Sequence, residues 1–164
     1  MKTLYLLRHA KSSWDNPGLS DHDRPLNDRG EKDAPRMGKR MRKHGVKPDL
    51  ICSSTATRAI TTARKASEEM GYTLDDIQQT RKLYHAEGEE MLEFLRSIPE
   101  SHESVMLVGH NPGFTEFANG MFNEEIANIP TAGIVGGRLE IDSWKEAKWG
   151  CGKMFLYEYP KKKE

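Results

Sequence analysis

Short, almost continuously apolar stretches alternate with amphipathic stretches along this chain of 164 residues. The clearest apolar stretches, at 2–8, 50–52 and 104–109, have the length of strands covered on both faces. Between them, the spacing of apolar residues predicts helices at about 28–44, 55–70, 89–98 and 112–121. Strands that alternate with helices favour an α/β fold with three α/β/α layers and a mostly parallel central sheet.

The last part of the chain departs from this alternation. Two further strands are predicted at 134–141 and 154–159, and since no helix separates them we expect them to be antiparallel or at the sheet edge. A short, weak strand is predicted at 77–80. We expect residues 1–160 to form a single domain and the basic tail 161–164 to be disordered. Pro35 lies either in the first turn of a helix that starts near Asp33 or at a kink in a longer helix.

Charge and cysteine content argue against several classes of function. Lysine plus arginine (25) balances aspartate plus glutamate (25), whereas a dedicated nucleic-acid binder normally has a basic excess. No apolar run approaches the roughly 20 residues that cross a bilayer, so no membrane partner is expected. Because no signal peptide is recognisable, Cys52 and Cys151 are interpreted as free thiols and the protein as cytoplasmic. The six histidines form no metal-ligand pattern, so neither a metal nor another cofactor is expected.

Reactive side chains follow the predicted strands at their carboxyl ends. Arg8 and His9 end the first strand, and His110 follows strand 104–109. Arg58 lies in the first turn of the helix after the second strand, an unfavourable place for a cation unless an anion lies beside it. In a parallel sheet with right-handed crossovers, these strand ends share one edge, where open α/β sheets bind ligands. We therefore expect two arginines and two histidines to converge.

This set of side chains is suited to phosphoryl chemistry. Guanidinium groups bind phosphoryl oxygens bidentately, and a histidine is a nucleophile when neutral and an acid when protonated. Four cationic or potentially cationic groups with no carboxylate among them suit a dianionic phosphoryl group. The same groups would repel a metal ion, which is a second argument against a metal site.

The segments LLRHAKSSW, SSTATRAITTA and VGHNPG resemble the histidine phosphatase superfamily, whose signature is Arg-His-Gly. The stretches RPL at 24–26 and PTAG at 130–133 are similar to its small bacterial SixA-type branch, the phosphohistidine phosphatases. The resemblance covers almost the whole chain and implies a phosphoglycerate-mutase-like fold. Ala10 stands in place of the signature glycine, a change that this branch itself tends to show.

The resemblance also implies a role for each matching residue. His9 is the nucleophile that takes up the phosphoryl group, and Arg8 and Arg58 hold the phosphoryl oxygens. His110 is the second histidine of the pocket, either protonated or donating a hydrogen bond to the transferring group. Ser12 is expected to be a further phosphate contact.

One residue of the family pattern is missing. Phosphomonoesterases and mutases of the superfamily generally carry a glutamate general acid in the loop that corresponds to residues 81–90, where this chain has LYHA at 83–86. An alkoxide leaving group needs a proton from such an acid, whereas the ring of phosphohistidine can already carry one near neutral pH. The sequence therefore favours a metal-independent phosphatase that hydrolyses a P–N bond through a phosphohistidine intermediate on His9.

Alternatives stay open at this point. Glu87 or Glu89 could serve as general acid in a small-molecule phosphomonoesterase, and a non-catalytic phosphate-sensing module is a third interpretation. The expected partner is a phosphohistidine-bearing protein domain, a small phosphoramidate or a phosphoester. Tyr84 and His85 are candidates for the border of the pocket. The group that positions the hydrolytic water is not identified by the sequence.

Overall fold

The computed structural model describes residues 1–163. This part of the chain contains the strands Lys2–Arg8 (β1), Leu50–Ser54 (β2), Ile77–Thr80 (β3), Ser104–Gly109 (β4), Ile134–Leu139 (β5) and Gly152–Glu158 (β6). Its α-helices are Asp28–Lys43 (α1), Thr57–Glu69 (α2), Gly88–Arg96 (α3) and Gly113–Phe122 (α4). Each predicted strand and helix is present, and only their ends differ from the prediction. None of these helices combines the length and the apolar character that crossing a membrane requires.

The strands form one sheet in the order β3-β2-β4-β1-β5-β6. β3, β2, β4 and β1 are parallel to one another, while β5 is antiparallel to β1 and β6 is antiparallel to β5. The mostly parallel sheet with antiparallel strands at one edge is therefore confirmed. β1 and β4 are neighbours, and Arg8 is opposite Gly109 in their register. His9 and His110 therefore leave the sheet side by side.

Apolar side chains fill both faces of this sheet. Because side chains alternate along a strand, successive residues of β1 point to opposite faces. Leu4 and Leu6 pack in a cluster with residues of α3 and α4, whereas Tyr5 and Leu7 pack with residues of α1 and α2. Burial on both faces explains why β1 and β4 are continuously apolar rather than alternating. The three-layer α/β/α architecture is confirmed.

Helix α1 starts at Asp28 and contains Pro35 in its interior, so the longer of the two helices considered for this region is the one that forms. The Asn27 side chain caps it by accepting a hydrogen bond from the Gly30 backbone N–H at 2.9 Å. α1 packs closely on α2 through Gly38, where a Cβ atom would collide with the Ala66 carbonyl oxygen. This approach fixes the position of α2, which carries Arg58.

Helix α4 starts at Gly113, one residue beyond its predicted start at Pro112. Asn111, two residues before Gly113, caps the first turn of α4. Its side-chain oxygen accepts hydrogen bonds from the Thr115 backbone N–H (3.1 Å) and the Thr115 hydroxyl (2.8 Å).

The segment after β6 lies against α1. Arg40 donates hydrogen bonds to the carbonyl oxygens of Tyr159 and Lys162. The Lys162 ammonium in turn donates to the Tyr157 carbonyl oxygen at 2.6 Å. These contacts hold Lys162, which belongs to the basic tail, while Glu164 lies outside the described residues.

Candidate active site

The end of β1 places the ring of His9 inside the protein. The His9 backbone N–H donates to the Gly109 carbonyl oxygen at 3.0 Å, which continues the pairing of β1 with β4. Its ring Nδ1 lies 2.7 Å from the Ala10 carbonyl oxygen. Because a carbonyl oxygen only accepts hydrogen bonds, this contact assigns the ring proton to Nδ1. The lone pair of Nε2 is then free to attack an electrophile.

His110 lies beside His9, with the ring centroids 5.1 Å apart, and its Nε2 is 2.8 Å from Ser54 Oγ at the end of β2. Burial is the main cause that lowers the pKa of His9 to about 3, and nearby arginine charges lower it further. Burial, followed by the proximity of His9 and Arg58, lowers the pKa of His110 to about 2. Both rings are therefore neutral at pH 7. His9 is in its nucleophilic form, and His110 is in the hydrogen-bonding rather than the protonated form.

Both predicted arginines have one edge of the guanidinium group occupied. Arg8 Nη1 donates to the Ile129 carbonyl oxygen at 2.7 Å. Arg58 donates from Nη1 to the Asp21 backbone carbonyl oxygen (2.6 Å) and from Nη2 to Asp21 Oδ2 (3.0 Å). The Nε atoms of both arginines and Nδ1 of His110 are buried without a hydrogen-bond partner in the described part of the chain. Such atoms are costly to leave unpaired, so they indicate a place for a ligand rich in acceptor atoms.

The long polar loop after β1 adds a carboxylate, that of Asp21, to the four predicted residues. Asp21 Oδ2 accepts hydrogen bonds from Arg58, from the Tyr84 hydroxyl (2.6 Å) and from His85 Nε2 (2.9 Å). Asp21 Oδ1 accepts from Arg24 Nη2 at 3.2 Å. Burial raises the pKa of Asp21, but the hydrogen bonds together outweigh burial and hold the pKa well below its usual range. The anion expected beside Arg58 is thus present, and the chain itself supplies it.

The four predicted residues line one cavity of about 550 Å³, here called the His9 cavity. Its charged lining has a cationic excess, with Arg8, Lys11, Arg24 and Arg58 against Asp15 and Asp21. This excess suits an anionic ligand. A second cavity of about 700 Å³ adjoins it and shares part of its lining, namely His85, His110 and Asn111.

Comparison with known proteins assigns this arrangement to a family. The histidine phosphatase superfamily (branch 1) matches residues 4–106, more than half of the chain. The chain belongs to this superfamily. An uncharacterized chloroplastic protein of Arabidopsis thaliana is 32% identical over 89% of this chain and 70% of its own length. An uncharacterized protein of Mycobacterium tuberculosis is 28% identical over 94% of this chain and 100% of its own length.

Solved structures of phosphatases resemble this histidine phosphatase over nearly its whole length. A protein of Agrobacterium tumefaciens assigned as the phosphohistidine phosphatase SixA is 30% identical, with a TM-score of 0.83 over 97% of this chain and 98% of its own. The protein histidine phosphatase SixA complexed with tungstate has the same fold, with 18% identity and a TM-score of 0.80 over 96% of each chain. The SixA resemblance and the phosphoglycerate-mutase-like fold are confirmed. The family and these neighbours make the chain a phosphatase, that is, a hydrolase.

Ser12 of this histidine phosphatase lines the His9 cavity, and its hydroxyl accepts a hydrogen bond from Arg24 Nη1 at 2.8 Å. The Arg24 guanidinium also stacks on the ring of Trp14, 3.6 Å from the centroid. The sequence does not single out Arg24 or Asp21 as site residues. The available signals are the length of the polar loop at 10–27, which is typical of functional loops, and the RPL stretch at 24–26.

The residues considered around loop 81–90 lie in different places. His85 lines both cavities, whereas Tyr84 reaches the site through its hydrogen bond to Asp21. Glu87 and Glu89 line the second cavity and not the His9 cavity. Glu89 Oε1 moreover accepts a hydrogen bond from Trp149 Nε1 at 3.0 Å. Neither glutamate is therefore placed beside His9.

Residues 1–163 contain no group of three or more histidine, cysteine, aspartate or glutamate side chains placed to hold a metal ion. Cys52 and Cys151 are both buried as free thiols. Burial raises the pKa of the Cys52 thiol to about 11, so this residue stays in its unreactive thiol form at pH 7.

Proposed function

We propose that this protein is a cytoplasmic phosphohistidine phosphatase that hydrolyses the P–N bond of a phosphohistidine-bearing protein domain through a phosphoenzyme on His9. One observation carries the proposal. The neutral ring of His9 shares its cavity with three residues that have unpaired buried polar atoms, namely Arg8, Arg58 and His110. The side chains of these three residues supply hydrogen bonds for a phosphoryl group, and His9 supplies the nucleophile. The neighbour with 30% identity is itself assigned as a phosphohistidine phosphatase, which agrees with this substrate class.

The first step is transfer of the phosphoryl group to His9. Nε2 of the neutral ring attacks phosphorus in line with the departing nitrogen, while the Ala10 carbonyl oxygen holds the proton on Nδ1. The guanidinium groups of Arg8 and Arg58 donate to the equatorial oxygens. Phosphoryl transfer has a loose transition state, so positioning and charge stabilisation of this kind supply most of the catalysis.

His110 supplies a third hydrogen bond to the same oxygens. Ser54 Oγ accepts a hydrogen bond from the Ala56 backbone N–H at 3.2 Å and lies 2.8 Å from His110 Nε2. In the proposed mechanism the Ser54 hydroxyl donates to Nε2, and the ring proton of neutral His110 is on Nδ1, the buried atom without a partner. His110 thus acts as a neutral donor whose orientation Ser54 holds.

The leaving group favours P–N over P–O cleavage. The imidazole of a phosphohistidine substrate carries its own proton near neutral pH and leaves as a neutral ring without a dedicated acid. A phosphoester needs such an acid, and the candidates Glu87 and Glu89 lie in the neighbouring cavity. The location of the two glutamates therefore weighs against a phosphomonoesterase.

Phosphate-release rates across a panel of phosphohistidine proteins, a small phosphoramidate and p-nitrophenyl phosphate test the proposal. We expect the fastest turnover on a phosphohistidine protein, with acid-labile phosphate trapped on His9 by rapid quench and absent from His9→Asn. Faster turnover of the phosphoester, lost in Glu87→Gln or Glu89→Gln, would establish the phosphomonoesterase instead. If no phosphoenzyme forms and no substrate is turned over, the remaining interpretation is a non-catalytic phosphate-binding module.

A further inference from the structure

His85 lies at the junction of the two cavities with an unusual backbone conformation. It lines both the His9 cavity and the second cavity. Its φ angle is +53°, in the left-handed region that residues other than glycine seldom adopt. Strained backbone of this kind clusters at functional sites, so its occurrence beside the reacting centre indicates a role for the His85 ring.

Asp21 holds the His85 ring in a defined orientation. His85 Nε2 lies 2.9 Å from Asp21 Oδ2. Because a carboxylate only accepts hydrogen bonds, Nε2 carries the ring proton and the Nδ1 lone pair is free to take up another. The His85 ring is 5.4 Å from the His110 ring, and the His110 ring is 5.1 Å from the His9 ring, measured between centroids. The His85 ring therefore lines the same cavity as the nucleophile, and the His110 ring contacts both His85 and His9.

We propose that His85 is the general base of the second half-reaction and that Asp21 is the residue that positions it. The proposal rests on the proposed phosphoenzyme at His9. His85 Nδ1 takes a proton from a water molecule while the water oxygen forms a bond to phosphorus and the P–Nε2 bond of phosphorylated His9 breaks. The electron pair of that bond returns to Nε2, so His9 is released as the neutral ring with its proton still on Nδ1. The products are hydrogen phosphate and a His85 imidazolium, which then gives its proton to solvent.

The surroundings of His85 suit this proton transfer. The Asp21 carboxylate offsets the positive charge that forms on the ring, and the Tyr84 hydroxyl fixes the same carboxylate oxygen from a second side. The Tyr84 ring also lies 4.1 Å from the His85 ring, between centroids. With 52% of its side chain exposed, His85 can release the proton to solvent after each turnover. Other ionisable groups also surround His85. Arg58 donates to the same Asp21 oxygen, the His110 ring lies beside the His85 ring, and Glu87, Glu89 and Glu116 line the second cavity.

The test separates the two half-reactions on the full chain. His85→Asn removes the base, and asparagine tolerates the left-handed backbone better than most residues. We expect phosphorylated His9 to form at close to the wild-type rate and to accumulate. Turnover of a phosphohistidine protein should fall by at least about 100-fold, the lower end of what a general base contributes. The matched control is His44→Asn, which changes a partly exposed histidine at the end of α1 that lines neither cavity and should keep wild-type turnover.

The positioning role of Asp21 has its own readout. In Asp21→Asn the imidazolium form of His85 loses its carboxylate partner, so hydrolysis of phosphorylated His9 should slow, and Asp21→Glu, which keeps a carboxylate, should recover part of the rate. A merely structural role would favour asparagine, which keeps the size of the aspartate side chain. Faster hydrolysis in Asp21→Asn than in Asp21→Glu would therefore contradict the part assigned to Asp21.

The outcomes separate this inference from the proposed function. If His85→Asn hydrolyses phosphorylated His9 at the wild-type rate, His85 is not the base, while the phosphoenzyme stands. If the wild-type protein forms no phosphoenzyme and shows no turnover, the proposed function fails. His85→Gln, made in parallel, covers a folding failure of the first variant. Accumulation of phosphorylated His9 in either folded variant supports the proposal, and its absence in both overturns it.

Discussion

Acidification from pH 7 to pH 5 should destabilise the folded protein through two buried histidines, His9 and His110. In the unfolded chain each ring has an ordinary pKa of 6.5, whereas burial lowers the pKa to about 3 for His9 and about 2 for His110 in the folded protein. Below pH 6.5 the unfolded state therefore binds more protons than the folded state. The stability that these rings contribute is present above pH 6.5 and is lost progressively as the pH falls.

The magnitude follows from proton linkage. Between pH 7 and pH 5 each folded ring stays neutral while its unfolded counterpart becomes protonated, which lowers the free energy of unfolding by about 2 kcal/mol for each ring. The two rings together should account for about 4 kcal/mol, a large share of the total for a domain of this size. Only 8% of His9 and 4% of His110 is exposed, so solvent screening does not diminish the effect.

Urea denaturation at pH 7, 6 and 5, extrapolated linearly to water, measures this loss. The double variant His9→Gln/His110→Gln is the control, since glutamine is polar but takes up no proton in this range. Carboxylates and exposed histidines titrate alike in both proteins, so the difference between the two pH dependences isolates the buried pair. An equal loss of stability in wild type and double variant would refute the reasoning, because it would mean that both rings become protonated in the folded protein.

Three further outcomes are expected. Arg58→Ala should lower steady-state turnover of a phosphohistidine protein by about 100-fold or more, as for loss of one donor to a transition-state oxygen. Arg24→Ala should lower turnover less, because the Arg24 nitrogens already donate to Ser12, Ser13 and Asp21. An equal loss of turnover in the two variants would mean that Arg24 has an equal part in binding the phosphoryl group. Phosphate release should persist after dialysis against EDTA, and activity abolished by EDTA but restored by a divalent metal would contradict the metal-independent mechanism. Gly38→Ala should destabilise the fold by about 1–3 kcal/mol through overpacking against Ala66, measured by thermal unfolding, and an unchanged melting temperature would mean that α1 and α2 separate without cost.

The candidate catalytic residues on strand ends were accessible to sequence reasoning for a simple physical reason. Arg8, His9 and His110 stand at the carboxyl ends of two apolar strands, and parallel pairing places such ends at one edge of the sheet. Arg58 follows the same logic through the helix after β2. The sequence also indicated that an anion belongs beside Arg58, although not that this anion is Asp21.

Residues of the loop after β1 escaped that reasoning. Asp21 meets partners that are 37, 63 and 64 positions away along the chain, namely Arg58, Tyr84 and His85. Neither the hydrophobic pattern nor the strand order fixes the path of an irregular loop, since its backbone carries no repeating geometry. His85 was predicted at the border of the pocket, but its left-handed backbone and its hydrogen bond to Asp21 were not, because neither leaves a mark in the sequence.

The layers, the mostly parallel sheet and the convergence of two arginines with two histidines could be predicted from the amino-acid sequence, because apolar periodicity and the handedness of crossovers act along the chain. Which atoms of these residues are unpaired, and the neutral state of both rings, depend on burial and hydrogen bonding by groups distant in sequence, so they follow from the three-dimensional structure. It alone placed Asp21 between Arg58 and His85. Long-range contacts thus decide the protonation states on which the proposed chemistry depends.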